Sequence, residues 1–183
     1  MKYSKARSLI KTGDVIATSG YTWHGRLVQL VTREDVSHVG FAAWLGFNGG
    51  DKRLCLFDSQ VGRGVGFEPI SHCLMRGEHV YWYQLIDDNI KGPELLDFCI
   101  QHWGENYANL YQFIIFVSPT LKFLHRFLGK ELDTGDDRWH CSELVTSAFI
   151  AQGYVHDKEP VLTTPGDVTR FACLYTRVEL END

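Results

Sequence analysis

Val36-Ser37-His38-Val39-Gly40-Phe41-Ala42-Ala43-Trp44-Leu45 is the stretch on which the reading of this chain turns. Its short apolar period is that of a half-buried strand. Successive strand side chains alternate between faces, so His38 is expected to share a face with Val36 and Gly40. Glycine two residues on leaves the imidazole's surroundings open to a ligand or to another backbone. Taken alone, a histidine in this setting is more often a satisfied core residue than a reactive one.

Working outward, residues 14–18, 53–59, 65–70 and 79–85 repeat the strand-like period, with turns such as Asn48-Gly49-Gly50 between them. One helix interrupts this series, because Trp23, Leu27, Leu30 and Val31 recur at helical spacing. From about residue 89 the period lengthens. Pro93 opens a helix through Leu95, Leu96, Cys99 and Trp103 that stops at Gly104. Residues 119–129 repeat the Pro-in, Gly-out punctuation. A further helix is expected over 141–150, with Leu144, Val145, Ala148 and Phe149 on one stripe and Gly153 just past its end. Thr164-Pro165 reads as an N-cap and first turn, and 173–180 as a closing strand. Strands followed by helices predict an α+β fold. No linker or repeat breaks the chain, so residues 1–183 are expected to form a single domain, strand-rich over 1–88 and helix-rich over 89–183.

Composition excludes several function classes. The 183 residues carry a net charge of −5 and no dense basic stripe, which argues against nucleic acid as the main ligand. The most apolar run, Phe113 to Val117, falls far short of the ~20 residues a membrane span needs. The N-terminus lacks the apolar core of a signal peptide, so the reading is a soluble, cytoplasmic protein. Five scattered cysteines suit reduced thiols better than a disulfide framework. Cys55, Cys99 and Cys173 read as small buried hydrophobes.

Chemistry concentrates elsewhere. Cys141, in Trp139-His140-Cys141-Ser142-Glu143-Leu144-Val145, stands at the predicted start of a helix. Unpaired N–H groups and partial positive charge at that position favour thiolate, the nucleophilic form, and can hold an oxyanion. An inert, helix-capping cysteine is an equally good reading of that residue by itself. A nucleophilic thiol needs a base, for which His38 is the candidate. The imidazole in turn needs a group to fix its tautomer. Asp58, ending the next predicted strand, is the first candidate, and Glu68 is the reserve. Cys99 with His102, and more loosely His72 with Cys73, have the spacing of half a zinc site. No second pair completes either, so neither a metal nor a cofactor is expected. Gly62-Arg63-Gly64 lacks the Lys-Ser/Thr of a phosphate loop.

In chain order, GDVIATSG, REDVSHVGFAAW, LFDSQVGRGV, WHCSELVTSAF and TTPGDV together resemble the circularly permuted NlpC-type papain-like hydrolases, the YiiX/YebB kind. These phrases span about residues 13–168. The resemblance implies a permuted papain-like fold in which an antiparallel sheet or barrel bearing the histidine precedes the cysteine helix. It implies Cys141 as nucleophile, His38 as base and Asp58 as the third polar residue, where a Glu is more typical. His140 departs from the aromatic expected before the nucleophile. The implied activity is hydrolysis of an amide in a cell-wall-type or other short peptide. The alternatives are a thioesterase, a lipid acyltransferase or phospholipase like the lecithin:retinol acyltransferase group, and a binding module that has lost turnover. For the lipid reading, an apolar channel could be lined by residues within 113–124.

Overall fold

The computed structural model describes residues 1–20, 22–46, 50–108, 138–175 and 177–183. Five strands from the first half of the chain and one from its end build a six-stranded antiparallel sheet. They are β1 (Val15–Ser19), β2 (His38–Gly46), β3 (Lys52–Gln60), β4 (Gly64–Pro69), β5 (His79–Tyr83) and β8 (Val178–Leu180), in the order β4-β3-β2-β1-β5-β8. Two further short strands, β6 (Asn106–Tyr107) and β7 (Arg138–Trp139), pair in parallel. The helices are α1 (Tyr3–Ala6), α2 (Trp23–Thr32), α3 (Ile70–Met75), α4 (Gly92–Gln101), α5 (Cys141–Ala151) and α6 (Pro165–Val168). The architecture is α+β, with the sheet drawn mainly from the first half of the chain.

Alternation along the strands produces two cores. Val39, Phe41 and Ala43 of β2 face one way, joining Phe57 of β3 and the helical residues Leu95, Leu144, Val145, Ala148 and Phe149. Ala42 of β2, with Leu54 and Leu56 of β3, faces the other way, against Ala6, Ile70, Cys73 and Leu74. Phe41 and Phe149 meet edge-on at 5.6 Å between ring centroids, tying β2 to α5. Full burial of side chains of this size stabilises the fold by roughly 1.5–3 kcal/mol each.

Helix α5 is buried more completely than its four-residue stripe suggested, since Ser142, Glu143 and Thr146 are also inaccessible. Ser142 meets the cost of burial by donating its hydroxyl to the Thr163 carbonyl at 2.6 Å. The Thr164 cap forms as expected, its side chain accepting from the Asp167 N–H.

Three local expectations change. The strand expected over 65–70 ends at Pro69, and Ile70 begins α3, because proline at the strand's end ends the ladder there. The closing strand shrinks to Val178–Leu180, with an isolated bridge at Leu174. Val36 precedes β2 and packs in the α5-side core, whereas alternation sets His38 with Gly40 and Ala42. The helix expected over 119–129, the turn at Asn48-Gly49 and the apolar run within 113–124 lie outside the described residues.

Candidate active site

His38 is the first residue of β2, and Asp58 lies near the end of β3. The two strands pair antiparallel, with Phe41 opposite Phe57. One step further along that register sets Asp58 beside Gly40, two positions from His38 on the same face. A Cβ at residue 40 would lie 2.4 Å from the Phe57 carbonyl oxygen and 2.8 Å from the Asp58 Cβ. Glycine therefore lets β3 close on β2 and leaves no side chain between Asp58 and the imidazole. Asp58 Oδ2 reaches His38 Nε2 across the diagonal at 2.5 Å. The space that Gly40 opens is filled by β3, through the Phe57 carbonyl, the Leu56 side chain and the Asp58 Cβ.

Asp58 is 2% exposed at its side chain, and its second oxygen is also engaged. Arg63, in the turn joining β3 to β4, donates from Nη2 to Asp58 Oδ1. A buried carboxylate needs such compensation to remain ionised.

Cys141 is the first residue of α5 and 5% exposed. It lies close enough to His38 for its charge to act on the imidazole. Burial opposes charge on the imidazole, but Cys141 and the Asp58 carboxylate outweigh it, so His38 titrates well above its ordinary value. With Nε2 committed to Asp58, Nδ1 is the nitrogen left for the thiol.

The next residue of β3 holds the cysteine segment in place. Ser59, fully buried, donates its hydroxyl to the Trp139 carbonyl at 2.7 Å, two residues before Cys141. Adjacent residues on opposite faces of β3 thus hold the imidazole and the run into the cysteine helix. Glu143, in the first turn of α5, accepts from the His140 N–H at 3.1 Å. His140 is the N-cap residue, 2% exposed, with its ring edge-on to Tyr107 at 5.4 Å.

A cavity of about 200 Å³ opens beside this group, its wall including Thr18, Ser37, His38, Gln60 and Tyr107. Cys141 is not part of that wall. Burial, followed by the charges of Cys141, Asp58 and Glu143, raises the Tyr107 phenol well above its usual range, so it stays protonated as a donor.

Glu68, the reserve partner for His38, lines the same cavity but is committed elsewhere. Arg76 holds its carboxylate, and the Cys73 thiol donates to it at 3.0 Å. Three contributors escaped sequence reasoning: Arg63, Ser59 and Tyr107. Nothing in a single sequence singled out Ser59 or Tyr107, and Arg63 entered only within Gly62-Arg63-Gly64, weighed against a phosphate loop. Of the residues at half-zinc spacing, Cys99 is fully buried in the core, and His102 pairs with Glu105 at 3.1 Å.

No family model matches the chain, and no curated protein matches it. Among solved structures it is similar to the crystal structure of the metalloprotein yiiX from Escherichia coli O157:H7, DUF1105. The TM-score is 0.62 at 17% identity, with 92% of this chain and 96% of that one covered. At that identity the likeness concerns the fold, an α+β fold like that of yiiX. That protein is called a metalloprotein. Among the described residues of this chain, no group of three or more His, Cys, Asp or Glu side chains could hold a metal ion. No described helix is long and apolar enough to cross a membrane.

Proposed function

We propose that this chain is a cysteine hydrolase of the permuted papain-like kind, one catalytic domain over residues 1–183, acting on the amide bond of a short peptide. The observation that carries the reading is the linked set Cys141, His38 and Asp58. Cys141 opens a helix within reach of the His38 charge, and His38 Nε2 lies 2.5 Å from the buried Asp58 carboxylate.

The chemistry follows from that arrangement. Asp58 accepts the Nε2–H of His38, which leaves the Nδ1 lone pair to take the proton of Cys141. The thiolate attacks the amide carbonyl, and the electron pair of the C=O bond moves onto oxygen. Backbone N–H groups in the first turn of α5 donate to that oxyanion, an effect worth about 10²–10³ in rate per donor. The tetrahedral adduct collapses, and His38 gives its proton from Nδ1 to the departing amine. Water, deprotonated by the same nitrogen, then releases the acid and restores the thiol.

The cavity beside the site has polar groups in its wall, together with Val28, Leu56 and Val61. Thr18, Ser37, Gln60 and Tyr107 offer hydroxyl and amide partners suited to a peptide backbone. Incubation with a mixture of short peptides, followed by mass spectrometry, tests the proposal. Cleavage by the wild type that disappears in Cys141→Ala is the expected result. Release of fatty acid from esters or thioesters with peptides untouched would contradict it.

A further inference from the structure

We propose that Arg63 is a positioning residue of this site: through Asp58 it holds the His38 imidazole in the tautomer that serves Cys141. The inference rests on the hydrolase reading for its purpose and on independent geometry for its substance.

Arg63 lies in a turn built to carry it. Gly62 and Gly64, on either side, both adopt positive φ (84° and 76°), which other residues rarely adopt. The Arg63 N–H closes the turn on the Gln60 carbonyl at 3.1 Å. Just beyond, the Val65 N–H reaches the Glu105 carbonyl at 2.8 Å and the Gly104 N–H reaches the Val65 carbonyl at 3.0 Å. A Cβ at residue 64 would lie 2.2 Å from the Glu105 oxygen, so the chain passes close there as well. Backbone contacts thus set the path of the turn independently of the Arg63 side chain. That side chain folds back five residues to Asp58.

The guanidinium gains little else. Its Nε and Nη1 are buried without a hydrogen-bond partner among the described residues. Burying donors without partners is unfavourable, so the ion pair with Asp58 is the return for placing an arginine here. Asp58 is faced by His38 from β2, by Arg63 from the turn and, at longer range, by Tyr107 from β6. Arg63 also lies close enough for its charge to act on Glu68.

Without a cation, a carboxyl group 2% exposed is driven toward its neutral form. A neutral carboxyl can donate its proton to Nε2. The imidazole would then carry its hydrogen on Nδ1, facing the thiol, and could not accept the thiol proton. Arg63 keeps Oδ1 engaged as an acceptor and so leaves Oδ2 to accept Nε2–H. It touches neither the thiol nor the substrate in this mechanism. It acts through Asp58.

The test measures the pH dependence of Cys141 alkylation by iodoacetamide, with no substrate, in the wild type, Arg63→Gln, Arg63→Lys, Asp58→Asn and the Arg63→Gln/Asp58→Asn double variant. Arg63→Gln should move the acid limb up by about one pH unit, a tenfold loss of rate on that limb, and Arg63→Lys should restore most of it. In the Asp58→Asn background Arg63→Gln should change the rate less than about twofold, the non-additivity of two residues acting as a unit. Above the pH at which His38 becomes neutral, nitrogen-15 shifts of its ring should show Nε2–H in the wild type and a gain of Nδ1–H in Arg63→Gln. A profile unchanged in Arg63→Gln, or equal losses with and without Asp58, would overturn the inference. Failure of the wild type to cleave peptides would overturn the hydrolase reading and leave the Arg63 result standing. A wild-type thiol that reacts like a free one would overturn both.

Discussion

His38 Nε2 and Asp58 Oδ2 stand 2.5 Å apart, from strands whose register sets the two residues on a diagonal across Gly40. The contact is a consequence of sheet geometry as much as of charge. If Asp58 orients the ring, Asp58→Asn should lower kcat by about 10²-fold or more while KM changes little, because the amide keeps the shape but loses the ability to stabilise the imidazolium. Steady-state kinetics on a cleaved peptide checks this. Glu68→Gln, in contrast, should leave the pH at which Cys141 reacts in place, because Glu68 answers to Arg76 and Cys73.

Gly40→Ala should cost about 1–3 kcal/mol. The new methyl would press on the Phe57 carbonyl at 2.4 Å and the Leu56 Cδ1 at 2.7 Å, and β3 has no room to retreat while Phe57 is buried. Urea unfolding should show the loss as a lower midpoint, and turnover should fall further than stability does, because the same shift spreads Asp58 from His38.

Ser59→Ala removes the donor that holds the Trp139 carbonyl. The carbonyl keeps the Ala108 N–H at 3.3 Å, so the change removes one of two hydrogen bonds and costs about 0.5–1.5 kcal/mol. The kcat should fall by about tenfold, since Cys141 lies two residues beyond that anchor and misplacement by an ångström is costly. Equal kcat in the variant and the wild type would show that the anchor serves stability alone.

The raised titration of His38 has a stability consequence whose sign is definite. The folded state holds the imidazolium more tightly than the unfolded chain does, because Cys141 and Asp58 outweigh the opposing effect of burial. The stabilisation is therefore complete below the unfolded value of about 6.5 and is lost as pH rises through the higher folded value. Denaturant unfolding of the wild type and His38→Gln should differ most near pH 6 and converge toward alkaline pH.

Much of this was legible in the residues themselves. The strands carrying His38 and Asp58 show their period directly, and Pro93, Gly104 and Gly153 mark helix ends by backbone chemistry that acts locally. Cys141 was legible because a helix start is a local event. The site's support was not. Arg63 reaches Asp58 only because two positive-φ glycines turn the chain back, and a charged residue in a Gly-rich turn otherwise reads as solvated. Ser59 meets residue 139 across 80 positions of sequence, a distance no periodicity spans. The short helix α3 was hidden because Phe67 to Ile70 continues a strand-like run until the backbone, not the composition, changes at Pro69.

The central claim is that Cys141 is a thiol activated by His38. The most direct measurement is the rate of Cys141 alkylation by iodoacetamide as a function of pH, followed by mass spectrometry at that residue, in the wild type and in His38→Ala. The wild-type thiol should react well below the pH of about 8.5 at which a free cysteine ionises, and His38→Ala should move the profile upward by a unit or more. Superimposable profiles, or a wild-type thiol that reacts only at the pH of a free cysteine, would contradict the claim.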